Sequence, residues 1–165
     1  MDLQDFNNAS ADQAVATLRP CADIDRWIQG VVDHRPYAGV EDLFSRAELE
    51  ANPFTAAEVD AALAHHPRIG EKAEGQSAEA TLSRDEQSAV DAQSDTARKI
   101  LEGNKEYEQK FGRVFLIRAA GRSAEEILAE LERRQANSEE AESAEVAVQL
   151  REIALLRLRG LFATT

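Results

Sequence analysis

The chain has 165 residues and a net formal charge of −12, from 31 acidic against 19 basic side chains. That length suits one domain with a substantial core, and a hydrophobic content of 43% excludes wholesale disorder. The acidity argues against nucleic acid, whose phosphates demand clustered Lys and Arg, yet it leaves room for an anionic small molecule held by a few local arginines.

In chain order, Ser10-Ala11-Asp12-Gln13 is a capping-box pattern that predicts a first short helix ending before Pro20. Ile24, Trp27, Ile28, Val31 and Val32 then recur at helical spacing, up to a stop at His34-Arg35-Pro36-Tyr37. Leu43, Phe44 and Ala47 mark a third helix, interrupted by Asn52-Pro53. Thr55-Ala56-Ala57-Glu58 caps a fourth, running to His65. Residues 66–82 lack periodicity and carry Pro67, Gly70 and Gly75; loops of this length in compact domains are often functional. Helix returns from Arg84 to Phe111, with a break expected near Gln93–Asp95 or at Gly103. Val114-Phe115-Leu116-Ile117 is strand-like but too isolated for a sheet. Ser123-Ala124-Glu125-Glu126 caps a helix to about Gln135. A last helix runs from about Glu139 to Gly160, with Val146, Leu150, Ile153 and either Leu156 or Arg157 on successive turns. The acidic run Ser138–Glu142 reads as its solvated start. The expectation is an all-α bundle of seven to nine helices in a single domain spanning residues 1–165.

No apolar run is long enough to cross a bilayer, and Met1–Asp5 has neither a basic start nor an apolar stretch. The ending Phe162-Ala163-Thr164-Thr165 is not a peroxisomal address. Cys21 is the one cysteine, which allows no internal disulfide and fits a reducing compartment. A soluble, cytoplasmic protein is expected, with no membrane and no nucleic-acid partner.

Candidate chemistry is concentrated in two short segments. His65 and His66 would point about 100° apart on a helix. His34 is remote, and neither Cys-x-x-Cys nor His-Glu-x-x-His occurs, so no metal site is expected. His66 precedes Pro67, which favours an extended backbone; it reads either as a helix-terminal cap or as an acid/base. Ser83-Arg84-Asp85-Glu86 reads either as one more capping box or as a helix N-terminus facing a ligand, with Ser83, Glu86 and Gln87 on its first turn. Arg157, set among leucines, is either a snorkelling side chain or a fork for a carboxylate. Residues 114–119 either fill a gap between helices or offer backbone groups to a flat, amide-rich ligand.

Together these residues resemble the 2-oxo-4-hydroxy-4-carboxy-5-ureidoimidazoline (OHCU) decarboxylase family of urate degradation. The likeness covers nearly the whole chain: Phe6-Asn7, Cys21, Trp27, Arg35-Pro36-Tyr37, His66-Pro67-Arg68-Ile69-Gly70 and Ser83-x-x-Glu86-Gln87 carry its first half. Asn104-x-x-Tyr107-Glu108-x-Lys110-Phe111-Gly112, Phe115-Leu116-Ile117 and Leu156-Arg157-Leu158 carry the rest. Where the family often has a glycine shortly after the Glu-Gln pair, this chain reads Ser88-Ala89-Val90-Asp91. The resemblance implies an all-helical homodimer that decarboxylates OHCU to (S)-allantoin with no cofactor. It implies His66 as principal acid/base and Glu86 as its carboxylate partner. Ser83, Arg84, Asp85, Gln87 and Arg157 would bind substrate, while Pro67 and the backbone of Phe115, Leu116, Ile117, Arg118 and Ala119 complete the pocket. Two other readings compete: a non-enzymatic helical module that docks a protein partner, and an enzyme acting on another small ureide.

Overall fold

The computed structural model describes residues 1–64, 66–69, 82, 85–86 and 94–163. Among them are eight helices and no strand: α1 Leu3–Asn8, α2 Ala11–Leu18, α3 Asp25–Asp33, α4 Val40–Glu50, α5 Ala56–Leu63, α6 Asp95–Phe111, α7 Ala124–Gln135 and α8 Glu139–Phe162. The all-α expectation holds. No helix of the described residues is long and apolar enough to cross a membrane. The chain separates into two compact units, one of residues 1–62 and 150–165, the other of residues 63–149.

The first unit contains α1 to α4, α5 up to Ala62 and the part of α8 from Leu150. Its sequence-predicted caps are present: Ser10 and Gln13 form a reciprocal capping box at α2, and Thr55 and Glu58 exchange the same pair of bonds at α5 (3.2 and 2.9 Å). Each satisfies backbone donors that helix geometry leaves open. The helix α1 lies ahead of the expected first helix. It has six residues and one buried side chain, Phe6, so it is too short to show a periodicity. Phe6 meets Phe162 edge to face at 5.5 Å. Trp27 is fully buried and donates from Nε1 to the Ala47 carbonyl at 2.9 Å, tying α3 to α4. Arg35 donates to the carbonyls of Phe6 (2.7 Å) and Ala9 (2.9 Å), and Asn7 and Tyr37 bond reciprocally at 2.9 Å each way. The Phe6-Asn7 and Arg35-Pro36-Tyr37 segments, 29 residues apart, therefore lock to each other.

In the second unit α6 and α7 pack together around Ile69, Ile100, Tyr107, Phe115, Ile117, Ala119, Ile127 and Leu131. Ser94 caps α6 through a bond from Ala97 N (3.0 Å), so the helix break expected near residues 93–95 falls there. The alternative break at Gly103 does not occur, because α6 runs through it. A Cβ at Gly103 would lie 2.7 Å from Leu131 Cδ2, so the missing side chain serves helix approach instead. Gly112, with φ +70°, ends α6 in the left-handed conformation that glycine adopts without steric cost.

Residues 114–119 belong to no helix and no strand; a buried ion pair holds them at Leu116. Arg134 and Glu142, 1% and 0% exposed, meet through Nε (2.9 Å) and Nη2 (2.5 Å) to Oε1. Tyr107 donates to the same oxygen at 2.6 Å and Asn137 to Oε2 at 3.1 Å. Arg134 Nη1 donates to the Leu116 carbonyl at 2.8 Å, and its guanidinium stacks over Phe115 at 4.5 Å. Burial, then the bond to Glu142, pushes the Tyr107 phenol well above its usual pKa and keeps it a donor. Glu142 thus departs from the solvated helix start expected of Ser138–Glu142. Counted back from Leu150 and Val146, it stands on their stripe.

Candidate active site

The His66 turn begins where α5 stops. The His66 amide donates to the Leu63 carbonyl at 3.1 Å, closing the last turn, and Pro67 prevents continuation. His66 and Pro67 are half-buried, outside helix, and therefore open to solvent or ligand on one side. Ile69, 5% exposed, drops into the core beside Ile100 and Tyr107 of α6. Its carbonyl accepts from Asn104 Nδ2 at 2.8 Å. Arg68 pairs with Glu108 through two bonds, Nε to Oε1 at 2.5 Å and Nη2 to Oε2 at 3.3 Å. Two motifs 35–40 residues apart in sequence, His66–Ile69 and Asn104–Glu108, are thereby one structure.

Glu86 and Asp85 are helical, Glu86 half-buried and Asp85 exposed. Ser83, Arg84 and Gln87 lie outside the described residues. Phe115, Leu116, Ile117 and Ala119 are buried, and Arg118 is half-buried. Several of their backbone groups are already bonded. The Leu116 carbonyl is taken by Arg134, the Arg118 amide donates to Gln149 Oε1 at 2.9 Å, and the Arg118 carbonyl accepts from Arg122 Nε at 3.0 Å. Between them the amide and carbonyl of Ile117 have no hydrogen-bond partner among the described residues. The same holds for the amide and carbonyl of Phe115 and for the amides of Leu116 and Ala119, while the Ala119 carbonyl accepts from the Arg122 amide at 3.1 Å.

Arg157 belongs to the first unit. It is 4% exposed whereas Leu156 is 43% exposed, so the arginine takes the inward position after Val146, Leu150 and Ile153. A snorkelling side chain with a solvated head does not describe it; Arg159, exposed and stacked over Phe44 at 4.5 Å, is closer to that. Arg157 Nη1 donates to the Pro20 carbonyl at 3.0 Å. Beside it, burial pushes the Cys21 thiol up to about 12, against the smaller opposing pull of Arg157. Cys21 is thus a buried core thiol held in its protonated form.

Sequence reasoning missed Arg134, Glu142 and Gln149, which hold residues 116–118. The signal was present in the charged positions on otherwise apolar stripes: Arg134 follows Ile127 and Leu131, and Glu142 precedes Val146. Both are read as surface until their partners are known.

A family model described as OHCU decarboxylase matches residues 7–159. A solved structure described as OHCU decarboxylase in the presence of (S)-allantoin is similar at 23% identity and a TM-score of 0.72, over 94% of this chain and 100% of that one. Another, described as (S)-allantoin synthase, is similar at 16% identity and a TM-score of 0.69, over 99% of this chain and 55% of that one. No curated relative matches the chain significantly.

Proposed function

The chain belongs to the OHCU decarboxylase family, and from that premise we propose that it converts OHCU to (S)-allantoin without a cofactor, using His66 and Glu86 as the acid/base pair. The family's reaction is a carbon–carbon lyase step in purine catabolism. The observation that carries the reading is the family match across residues 7–159. The anchored turn that presents a half-buried His66 supports the role given to that residue.

The substrate's own chemistry makes such a site sufficient. Breaking the bond from C4 to its carboxylate sends the electron pair into the conjugated imidazoline ring, so no separate electron sink is needed. The protein must orient the substrate, keep water from the scissile carboxylate and deliver a proton to one face of C5, the carbon that bears the ureido group, while the C4 hydroxyl gives up its proton and becomes the ring carbonyl. In this proposal Glu86 hydrogen-bonds the C4 hydroxyl and His66, and His66 moves the proton. Such transfer typically contributes about 10²–10⁴-fold. Arg157 binds an anionic or carbonyl group of the substrate, as the family resemblance implies, and Ser83, Arg84, Asp85 and Gln87 add further contacts to it. Pro67 and the Phe115–Ala119 backbone take the amide-like edge. Residues 1–165 act as one domain and the protein as a homodimer, which sedimentation velocity will report as a single species of twice the chain mass.

His66→Ala should nearly abolish (S)-allantoin formation while leaving the helical circular dichroism intact; near-normal turnover removes His66 from the mechanism. Glu86→Gln keeps size and loses charge, so full activity in that variant reduces Glu86 to a helix cap.

A further inference from the structure

We propose that Asn104 is a positioning residue for His66, fixing from α6 the turn on which the imidazole is carried. The proposal rests on the acid/base reading of His66 for its kinetic consequence, but not for its geometry.

Among the described residues the turn is held at three places. At its start the His66 amide is bonded to the Leu63 carbonyl (3.1 Å). At its end the Ile69 side chain is buried against Ile100 and Tyr107, and the Ile69 carbonyl is bonded to Asn104 Nδ2 (2.8 Å). Between them Arg68 reaches Glu108, one turn beyond Asn104 on the same face of α6. The three anchors are unequal. The Arg68–Glu108 pair is 48% and 24% exposed at its side chains, and a pair that open to solvent is screened and contributes little. Asn104 is 3% exposed, so water does not compete for its bond.

The choice of an amide here is informative. Asn104 Oδ1 is buried and has no hydrogen-bond partner among the described residues. An unpartnered buried acceptor is unfavourable, and an apolar side chain of similar size would avoid it. What only the amide provides is a directed bond to one backbone oxygen, three residues beyond His66. That is a means of fixing position more than of adding stability. Displacement of a catalytic group by about 1 Å can lower a rate by about 10²-fold.

The full-length chain with Asn104→Leu, a near-isostere that removes both the bond and the orphan oxygen, tests this. Turnover is measured on freshly generated OHCU, and the His66 ring signals are followed by NMR in the ligand-free chain, with His34 as internal reference. The expected result is a fall in kcat of about 10–100-fold with KM little changed, melting temperature within a few degrees of the parent, and His66 ring signals shifted and broadened while those of His34 stay put. Asn104→Gln, which keeps the amide, should recover part of the kcat. Unchanged kcat overturns the proposal, and so does a fall in kcat with unmoved His66 signals, since the loss then arises elsewhere. If His66→Ala turns over normally, the acid/base reading is the one that fails, and the ring signals alone judge the positioning. Should Asn104→Leu not fold, Asn104→Ser carries the same measurements and the same criteria.

Discussion

The Arg134–Glu142 pair shows how a single buried contact can hold a segment that belongs to no helix. Both charges are removed from water, a large desolvation cost, and every strong acceptor direction on Glu142 is met by Arg134, Tyr107 or Asn137. The remaining guanidinium nitrogen holds the Leu116 carbonyl. Arg134→Ala is expected to cost about 3–5 kcal/mol, because it leaves Glu142 buried without its cation. The double variant Arg134→Met/Glu142→Leu, which removes both charges, should recover most of that loss in urea unfolding. A double variant no more stable than Arg134→Ala would contradict the account. Neither residue was legible as a partner in the sequence, since pairing across eight positions of a turn between helices leaves no periodic trace. By contrast Val146, Leu150 and Ile153 were legible as a stripe, and only the inward residue after them, Arg157 in place of Leu156, required coordinates.

At the level of elements, capping chemistry was readable wherever the first turn stood alone. Ser10, Thr55 and Ser123 each accept from a backbone amide three residues on, as their spacing predicts. The helix α1 escaped because six residues give one buried position and no repeat. Gly103 was misread because mid-helix glycine looks like a break when its neighbour across the interface is unknown. Gly103→Ala should gain about 1 kcal/mol of helix propensity but force a fully buried Leu131 aside, an overpacking cost of about 1–3 kcal/mol. The net expectation is destabilisation, seen as a lower urea midpoint; a higher one would mean Leu131 has room to move. The cap of α5 also has a pH signature. Burial alone would raise the Glu58 pKa, but bonds from Arg26 and Thr55 bring it below its ordinary value. Its contribution is therefore present above the unfolded carboxylate range, about pH 4.3, and lost as pH falls through the lower folded value. Glu58→Gln should lower the melting temperature at neutral pH, and the difference from the parent should close on acidification. A difference that persists unchanged at pH 3 would show that the charge of Glu58 is not what stabilises the cap.

For the molecule as a whole, the helical class and the family were legible in sequence because they depend on many short motifs in order. The candidate site was only partly so. The Asn104 and Arg68 contacts join segments that no local pattern connects, and the bonded state of residues 116–118 is set by side chains from three other places in the chain. If the site binds the product of the proposed reaction, (S)-allantoin should raise the melting temperature by mass action, by about 2.7 kcal/mol of stabilisation at a ligand concentration 100 times Kd. A non-enzymatic helical module would show no such shift, and Ser83→Ala and Glu86→Ala would then act only as cap losses of about 0.5–2 kcal/mol. The most direct test of the central claim is a circular-dichroism time course on freshly generated OHCU. The chain should accelerate decay far above the spontaneous rate and yield the single (S) enantiomer, and His66→Ala should remove both effects. Racemic allantoin appearing at the background rate in the presence of the folded chain would contradict it.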